Sequence, residues 1–489
     1  TRLEVVTEGV FSRMILDDAT LPGVGAVLFD EFHERSLDAD LGLALALDVQ
    51  AALRDDLKLM VLSATIDAKA VSAIMDDAPV IASKGRGFPI DMHYLPRNQR
   101  KMIVPQIVEA VQLALKEQSG SILVFLPGRS EIEAARRQLQ DTVGGDPTVL
   151  IAPLYAGLPQ QAQIAALQPA PAGKRKIVLS TNLAQTSMTI EGVRVVVDGG
   201  LSRRPRFNPQ TGVSRLETVF VSKAAADQRA GRAGRTEPGV CYRLWPEQWT
   251  RTLEAQDQPE LLEANLARFA LDLAEWGVSD PTQLAFLDYP ASGKFAAAQS
   301  QLRSFGALTK DNHITPFGRS LQALPIDPHL GAMALQAAER GTAQLRSALL
   351  VAALLSDTQR QREPDLGVLY SRASARAEGT VKQSFERLCR LFSISARGPT
   401  LPRDEIGTLL LIAFPQWVAI NRGGGQFQLA AGQRVALSTD HPIAGEPYLV
   451  VADMMGEAGN LRLLSASALD ATSFAAHADR HALTPPLRG

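Results

Sequence analysis

Near the start of the chain, an apolar run of strand-forming residues ends in two adjacent carboxylates. Residues 25–29 are Gly-Ala-Val-Leu-Phe, Asp30 and Glu31 follow, and His33 lies two positions beyond Glu31. Because ligands of open α/β sheets bind outside the carboxyl ends of the strands, we expect these side chains in a site. Adjacent carboxylates favour a divalent cation, which predicts water-mediated Mg²⁺ binding and an acid that activates a water molecule. The alternative is a strand that simply ends in solvated charge.

Strand patterns alternate with helix patterns over the first half of the chain. Residues 3–6 and 57–62 are predicted as strands, and residues 38–54 as a helix with an apolar stripe. Ser63, Ala64 and Thr65 follow the second strand, where they either line a ligand edge or cap the next helix. After a linker near residues 85–101, further strands are expected at 121–126, 149–151, 176–179 and 193–198. This alternation predicts two successive α/β domains with parallel sheets.

A second polar block, residues 228–235, has the sequence Gln-Arg-Ala-Gly-Arg-Ala-Gly-Arg. On a helix, Gln228, Arg232 and Arg235 would share one face at spacings of four and three residues. Arginines directed at a transferred phosphoryl group stabilise its developing charge, and the glycines would allow close approach to a triphosphate. A helix that uses arginine only for surface ion pairs is the alternative, but each internal glycine costs such a helix about 1 kcal/mol relative to alanine.

The second half of the chain is predicted to be mostly helical and to end in short strands. Residues 259–276 have the pattern of one amphipathic helix, whereas residues 366–380, rich in arginine, serine and alanine, are predicted as a loop. Further helices are expected at 295–305, 328–340 and 342–355. Short strands are expected at 427–429, 435–437, 448–451 and 461–464. These strands predict a small β-rich, barrel-like domain.

Composition excludes several broad classes. The formal net charge is −2 over 489 residues, so contact with nucleic acid must come from local basic patches such as the predicted hairpin at 203–216. The two cysteines, Cys241 and Cys389, cannot form a disulfide framework, which favours a cytoplasmic location. The longest uncharged apolar stretch, near residues 347–356, is much shorter than the ~20 residues of a membrane helix. We therefore expect no membrane partner.

The polar blocks together resemble the motifs of superfamily 2 helicases, specifically of the DEAH-box group. Residues 30–33 (Asp-Glu-Phe-His) are similar to motif II, with Phe32 where most members have alanine, and residues 228–235 are similar to motif VI. The remaining matches are residues 7–9 (Thr-Glu-Gly) to motif Ib, 63–65 (Ser-Ala-Thr) to motif III, 125–128 (Phe-Leu-Pro-Gly) to motif IV and 180–187 (Ser-Thr-Asn-Leu-Ala-Gln-Thr-Ser) to motif V. The order along the chain is that of the family, and the resemblance covers residues 1–355 well and the remainder weakly.

The resemblance implies a nucleotide site built from two distant blocks. Asp30 would hold Mg²⁺, and Glu31 would activate the hydrolytic water. Glu191, after motif V, would lie near the ribose. The residues that would reach the γ-phosphate from the second domain are Gln228, Arg232 and Arg235.

The resemblance also implies coupling and nucleic-acid contacts. His33, Ser63 and Thr65 would couple the nucleotide state to movement of the strand. A hairpin around residues 208–212 would separate nucleic-acid strands. The residues that would grip the nucleic-acid backbone are Thr7, Gly128, Arg129, Thr181 and Asn182.

The fold class implied by the family is α/β, with two RecA-like parallel-sheet domains, the first of them truncated at its N-terminus. A winged-helix domain, a ratchet-like helical bundle and a small β-rich domain of OB-like type would follow. The predicted boundaries are 1–95 and 96–248 for the RecA-like domains, 249–328 for the winged helix, 329–408 for the bundle and 409–489 for the β-rich domain.

The leading interpretation is therefore a translocase that hydrolyses ATP or another NTP with Mg²⁺ and unwinds or remodels RNA. Single-stranded RNA is the expected partner, DNA is the alternative, and the sequence specifies no protein activator. The phosphate-loop pattern Gly-x-x-x-x-Gly-Lys-Ser/Thr does not occur in the chain, so we expect that loop upstream of Thr1. The chain by itself is accordingly expected to hydrolyse ATP negligibly.

Two other interpretations stay open. A non-enzymatic scaffold would bind nucleic acid or protein through the second half of the chain. A metallohydrolase would use Asp30, Glu31 and His33 directly, although no His-x-x-x-His or cysteine cluster accompanies them. Gln185 stands where the family usually has glutamate in motif V, which leaves the coupling network around it open.

Overall fold

The chain divides into two compact units. A computed structural model describes residues 2–64, 67–83, 87–98, 100–185, 190–208, 213–357, 363–430, 432–456 and 461–481. The first unit contains Thr1–Phe207, Ser214–Ala264 and Pro281–Pro290, and the second contains Asn208–Val213, Asn265–Asp280 and Ala291–Gly489. Among the described residues, no helix combines the length and the apolar character needed to cross a bilayer.

The first unit begins with a short parallel sheet and its helices. The elements are α1 (Glu8–Asp17), β1 (Ala26–Phe29), α2 (Leu37–Ala52), β2 (Lys58–Val61) and α3 (Ala68–Ile74), and β1 pairs with β2 in parallel. The prediction of a strand at residues 3–6 is wrong, because this segment pairs with no strand in the described part of the chain and exposes Leu3 and Val5.

An aromatic cluster holds α1 and α2 against β1. Phe29 packs edge-on against Phe11 at 5.4 Å between ring centroids and against Phe32 at 6.3 Å. A side chain at Gly42 would contact the ring of Phe11 at 3.1 Å, so glycine lets α2 approach this cluster. Phe32 is 1% exposed. The phenylalanine that departs from the family pattern is therefore a core residue that anchors the segment after β1.

The larger sheet of the first unit has six parallel strands in the order β3-β10-β7-β4-β6-β5. Its strands are β3 (Ile90–Tyr94), β4 (Ser121–Phe125), β5 (Val149–Leu154), β6 (Arg175–Ser180), β7 (Val193–Asp198) and β10 (Gly239–Arg243). Between them lie α4 (Ile103–Glu117), α5 (Arg129–Val143), α6 (Gln160–Leu167), the two-stranded sheet of β8 (Leu201–Asn208) and β9 (Val213–Phe220), and α7 (Lys223–Gly231), with α8 (Glu260–Glu263) after β10. Because β3 pairs with β10, this sheet begins before the predicted boundary at residue 95.

Register places several strand ends beside one another. Phe125 at the end of β4 aligns with Ser180 at the end of β6 and with Asp198 at the end of β7. Separate apolar clusters cover the two faces of the sheet, which explains why its central strands are almost entirely apolar. The segments that follow β4, β6 and β7 therefore gather at one edge, where ligands of such sheets bind.

Helices make up the first part of the second unit. They are α9 (Ala267–Glu275), α10 (Ser292–Ser304), α11 (Pro316–Gln322), α12 (Pro328–Arg340), α13 (Thr342–Leu355), α14 (Leu366–Ala375), α15 (Gly379–Leu391), α16 (Ile406–Ala413) and, nearer the C-terminus, α17 (Ala471–His481). The helices predicted at 328–340 and 342–355 are present with those bounds.

Two predictions about these helices are wrong. The helix expected at 259–276 is interrupted, because Ala264 is extended and the side chain of Asn265 accepts the amide of Ala267 to start a new helix. The loop expected at 366–380 contains α14 instead. Asp365 caps that helix by accepting the amides of Gly367 and Val368.

The strands of the second unit close into a barrel in the order β11-β12-β13-β15-β14. They are β11 (Val418–Asn421), β12 (Gln426–Leu429), β13 (Arg434–Ala436), β14 (Tyr448–Met455) and β15 (Leu461–Ala468). β11 was not expected from the sequence, whereas the other four overlap the predicted strands. Pairing of β13 with β15 is parallel, and the other barrel pairings are antiparallel.

Candidate active site

The segment after β1 presents the acid pair at a strained turn. Glu31 has a left-handed backbone with φ 50°, a conformation that costs a non-glycine residue about 1–2 kcal/mol. The carboxylate of Asp30 accepts the amide of Glu31 at 2.9 Å, and the amide of Phe32 donates to the carbonyl of Leu62, just after β2, at 3.1 Å. These bonds fix Asp30 as an exposed group and Glu31 as a half-buried group at the carboxyl end of β1.

His33 connects this turn to the block at 228–235. The side-chain amide of Gln228, on α7, donates to Nε2 of His33 at 2.5 Å. On the other side of the ring, Nδ1 of His33 lies 3.5 Å from a carboxylate oxygen of Glu31. The structure therefore places two blocks that are almost 200 residues apart within one hydrogen-bonded cluster.

Gln185 extends the cluster into the turn after β6. Its side-chain amide donates to the oxygen of Gln228 at 3.1 Å, and its own side-chain oxygen accepts Nε of Arg229 at 3.0 Å. Its backbone carbonyl accepts Nε of Arg232 at 2.9 Å. Gln185 thus contacts three residues of the arginine-rich block at once.

A buried ion pair anchors the far end of this cluster. Arg229 is 1% exposed and donates to Asp198 at 3.0 Å, at the end of β7. Its guanidinium also lies over the ring of Phe125, 4.8 Å from the centroid. Sequence reasoning assigned no role to Arg229 or Asp198. The available signal was an acid that follows three consecutive valines of a buried strand, because a buried acid needs a cationic partner.

The block at 228–235 is not one helical face. Helix α7 ends at Gly231, Arg232 is its C-cap, and Arg235 lies beyond it as an exposed residue. After the helix, the backbone passes close to the segment before β3 at Gly234. A Cβ at this position would lie 2.7 Å from the carbonyl of Phe88, so only glycine fits there. The prediction of helical spacing is therefore wrong, and at least one glycine serves packing against the segment before β3.

The charged form of Arg232 is destabilised by its surroundings. Burial lowers the pKa of its guanidinium to about 10, the neighbouring charge of Arg235 acts in the same direction, and Glu31 opposes the shift. Arg232, Arg235 and Glu31 therefore lie within electrostatic range of one another. An anionic group bound between the two arginines would relieve their repulsion.

A cavity of about 580 Å³ joins the cluster to the turn after β6. His33, Gln185 and Gln228 line it together with Thr181 and Asn182, two of the predicted nucleic-acid contacts. The hydroxyl of Thr181 accepts the amide of Leu183, which shapes a short helical turn from Asn182 to Ala184. Glu191, in the exposed turn before β7, is not among the described residues that line this cavity.

Gly128 and Arg129 begin α5 beside a basic strand. Gly128 is the N-cap of α5, and a side chain there would collide with the guanidinium of Arg203 on β8. Arg203 pairs with Glu131 at 2.9 Å, and Arg129 lies over the ring of Tyr155. The N-terminus of α5 is thus flanked by two arginines, of which Arg203 is paired with Glu131 in the first turn of the helix.

The remaining predicted site residues are more dispersed. Thr7 is the exposed N-cap of α1, and its carbonyl accepts the amides of Val10 and Phe11. Ser63 is exposed, two positions after the end of β2. Thr65 and the hairpin tip at residues 209–212 lie outside the described residues, so their predicted roles have no structural counterpart here.

The described residues contain no cluster of three or more histidine, cysteine, aspartate or glutamate side chains arranged to hold a metal. Asp30 and Glu31 supply adjacent carboxylate oxygens, the ligand type that suits Mg²⁺ held largely through water. Both cysteines are free and buried. The donor set therefore fits a hydrated Mg²⁺.

Sequence reasoning also missed a support immediately after His33. Arg35 has a left-handed backbone with φ 49° and donates to Asp40 at 2.9 Å and to Asp288 at 2.7 Å. Its carbonyl accepts the amide of Glu260, and the carboxylate of Glu260 accepts the amide of Leu37. These contacts tie the C-terminal end of the acid-bearing segment to the rest of the first unit.

Comparison with known proteins gives a consistent result. Residues 103–237 match the model of the helicase conserved C-terminal domain. The chain is 42% identical over 451 residues to the ATP-dependent RNA helicase HrpB of Escherichia coli (strain K12), an alignment that covers 92% of this chain and 54% of that protein. The chain thus spans about half the length of this curated relative.

Solved structures give the same picture. The crystal structure described as E. coli DExH-box NTPase HrpB matches with a TM-score of 0.82 and 40% identity, over 98% of this chain and 58% of that one. A second crystal structure, described as Escherichia coli DEAH/RHA helicase HrpB, matches with a TM-score of 0.85 and 40% identity, over 96% and 59% of the two chains. The six-stranded parallel sheet fits a RecA-like domain.

Proposed function

We propose that this chain belongs to the DEAH-box helicase family and carries part of the motor of an ATP-dependent RNA helicase. Hydrolysis would take place between the segment after β1 and the block at 228–235. Single-stranded RNA is the proposed partner, and DNA is the second candidate. The observation that carries the proposal is the hydrogen bond between His33 and Gln228, which brings the two blocks together.

The proposed chemistry is attack of water on the γ-phosphorus of ATP, with ADP and phosphate as products. Glu31 would orient the water and take its proton, which a half-buried carboxylate beside the strand edge is placed to do. Arg232 and Arg235 would stabilise the charge that develops on the γ-phosphoryl oxygens. Gln228 would hold His33 in place, and Glu191 would contact the ribose.

Mg²⁺ would be held by Asp30, with Glu31 contributing through water. When bound, the ion supplies charge neutralisation of the phosphate oxygens. Asp30 is exposed and its carboxylate already accepts the amide of Glu31, so its orientation is set before any ion arrives.

RNA would lie along the segments that follow the strands of the six-stranded sheet. Arg129 and Gly128 at the start of α5, with Thr181 and Asn182 after β6, would contact phosphates. Thr7 would contribute from α1, and Ser63 and Thr65 would couple the two blocks. The proposal is supported by Arg129 at the N-terminus of α5 and by the cavity that Asn182 shares with His33.

The second unit is proposed to contain the accessory domains of the family. A winged helix would occupy the region to about residue 328, a ratchet-like bundle would follow to about residue 408, and an OB-like domain would include the closed barrel. The barrel topology and the pairing of long helices α12 and α13 support this division. The hairpin of β8 and β9 would separate nucleic-acid strands.

The proposed function is tested on the full-length protein by measuring ATP hydrolysis with and without single-stranded RNA. Glu31→Gln keeps the size of the side chain but removes its basic oxygen, so we expect at least a 100-fold loss of the RNA-stimulated rate. Glu109→Gln, on the exposed face of α4, is the matched control and should hydrolyse ATP like the wild type.

Displacement of a labelled strand from an RNA duplex is the second measurement. The helicase proposal expects displacement that depends on ATP and is lost in Glu31→Gln. A protein that binds single-stranded RNA but shows equal hydrolysis in the wild type and in Glu31→Gln would contradict the proposal and favour the scaffold.

A further inference from the structure

Gln185 lies at the centre of a series of hydrogen bonds that runs from a buried ion pair to His33, beside the acid pair. Arg229 donates to Gln185 at 3.0 Å, Gln185 donates to Gln228 at 3.1 Å, and Gln228 donates to His33 at 2.5 Å. Nδ1 of His33 then lies 3.5 Å from Glu31. In this series of hydrogen bonds, each glutamine accepts with its side-chain oxygen and donates with its side-chain nitrogen.

The direction of these bonds is set by Arg229. A guanidinium has only donors, so Gln185 must turn its oxygen to Arg229 and its NH₂ group to Gln228. Gln228 must therefore turn its oxygen to Gln185 and its NH₂ group to His33. Because an NH₂ group cannot accept, Nε2 of His33 must carry the lone pair, which places the ring proton on Nδ1.

The orientation of the Arg229 guanidinium is held by its surroundings, so the direction of the hydrogen bonds is not easily reversed. Arg229 is almost fully buried, it is paired with the equally buried Asp198 at 3.0 Å, and Asp198 also accepts the amide of Gly200 at 2.8 Å. Rotating the guanidinium away from Gln185 would break contacts in a region that excludes water. The ion pair therefore fixes the direction of the hydrogen bonds at one end of the series. At the other end, the imidazole of His33 beside Glu31 adapts to that direction.

We propose that Gln185 is a positioning residue that, through Gln228, makes Nε2 of His33 the accepting ring nitrogen and leaves the ring proton on Nδ1, the nitrogen that lies 3.5 Å from Glu31. The effect of this arrangement on hydrolysis rests on the proposed function, in which Glu31 is the base. The order of donors and acceptors in the hydrogen bonds is independent of that function. Gln185 also ends the short turn that begins at Asn182, and its amide donates to the Asn182 carbonyl at 2.8 Å. The same residue thus links a proposed RNA contact to the orientation of the proposed base.

Glutamine is required by this arrangement because it both accepts and donates. Glutamate at position 185 could accept from Arg229 but could not donate to Gln228. Gln228 would then rotate its NH₂ group towards residue 185 and its oxygen towards His33, so Nε2 of His33 would have to carry the proton. Gln228→Glu should have the same effect, since a carboxylate facing His33 can only accept.

The test is nitrogen NMR of the full chain with ring-labelled histidine, recorded at one pH without nucleotide or RNA. Couplings to the ring protons show which nitrogen carries hydrogen, and the signal of His33 is the one that disappears in His33→Asn. We expect Nδ1 protonation in the wild type and Nε2 protonation in both Gln185→Glu and Gln228→Glu. Gln160→Glu, an exposed change at the start of α6, should leave the wild-type pattern.

Two results would overturn the proposal. One is a wild-type His33 protonated on Nε2, and the other is Nδ1 protonation that persists in both glutamate variants when circular dichroism shows that they are folded. Because no substrate is present, the outcome is independent of the helicase assignment. The predicted switch in a protein that does not hydrolyse ATP would support the role of Gln185 and refute the proposed function alone.

Discussion

The side-chain amide of Gln228 and Nε2 of His33 are 2.5 Å apart although 195 positions separate the two residues in the sequence. His33 follows the acid pair by two positions, and Gln228 precedes the first of the two candidate phosphate-binding arginines by four. A hydrogen bond between them makes the position of one block depend on the other. The proposed function requires such a dependence, because residues of both blocks would have to act on one triphosphate.

The strained backbone of Glu31 predicts a difference in stability between two variants that lack the carboxylate. Glu31→Ala and Glu31→Gly both remove the carboxylate, but only glycine adopts φ 50° without a Cβ clash. We expect Glu31→Gly to be more stable than Glu31→Ala by about 1 kcal/mol in the free energy of unfolding. Urea denaturation measures this difference, and equal or reversed stabilities would show that the turn stores no strain.

The two glycines of the arginine-rich block are expected to respond differently to alanine. A Cβ at Gly234 would lie 2.7 Å from the carbonyl of Phe88, so Gly234→Ala should lower the free energy of unfolding by about 2 kcal/mol. A Cβ at Gly231 would have nothing within 4 Å. Gly231→Ala is therefore the matched control and should be neutral or slightly stabilising. Similar losses for the two variants would contradict the packing role of Gly234.

Glu363 in the second unit predicts a pH-dependent contribution to stability. Burial opposes its ionisation, but the amide of Asp365 at 3.0 Å and His441 at 2.9 Å outweigh burial and lower the pKa of Glu363. A lowered pKa in the folded state contributes stability above the unfolded value, near 4.5, and that stability is lost as the pH falls through the folded value.

We therefore expect Glu363→Gln to reduce the free energy of unfolding at pH 7 by less than about 1 kcal/mol, because solvent screens a partly exposed pair. The deficit should vanish at pH values below the folded pKa. Glu378→Gln, which breaks an exposed ion pair with Arg376, is the control and should show almost no effect at either pH. A deficit that grows on acidification would contradict the assigned direction.

The parallel sheet and the location of the acid pair follow from local patterns. Apolar runs that end in polar residues identify β1, β4, β6 and β7, and the rule that parallel strands share one ligand edge then brings their ends together. Local patterns alone are therefore sufficient to place Asp30, Thr181 and Asn182 at strand ends. The three residues do follow β1 and β6 in the fold, while their chemical roles stay predictions.

Other features could not be obtained from periodicity. The sequence Gln-Arg-Ala-Gly-Arg-Ala-Gly-Arg has helical spacing throughout, but contact of Gly234 with Phe88 favours a chain that leaves the helix at Gly231. Gln185 and Arg229 meet across 44 positions of sequence, and Arg229 and Asp198 across 31. Hydrogen-bond partners at such separations depend on tertiary packing, so no local pattern encodes them.

A double-mutant cycle on the RNA-stimulated ATPase of the full-length protein tests most directly whether the two blocks form one site. The variants are His33→Ala, Gln228→Ala and the double variant, each checked for folding by circular dichroism. If the two side chains act as a unit, each single change lowers kcat about tenfold or more, and the double variant is no slower than the slower single variant. Losses that multiply in the double variant would show independent action and contradict the central claim.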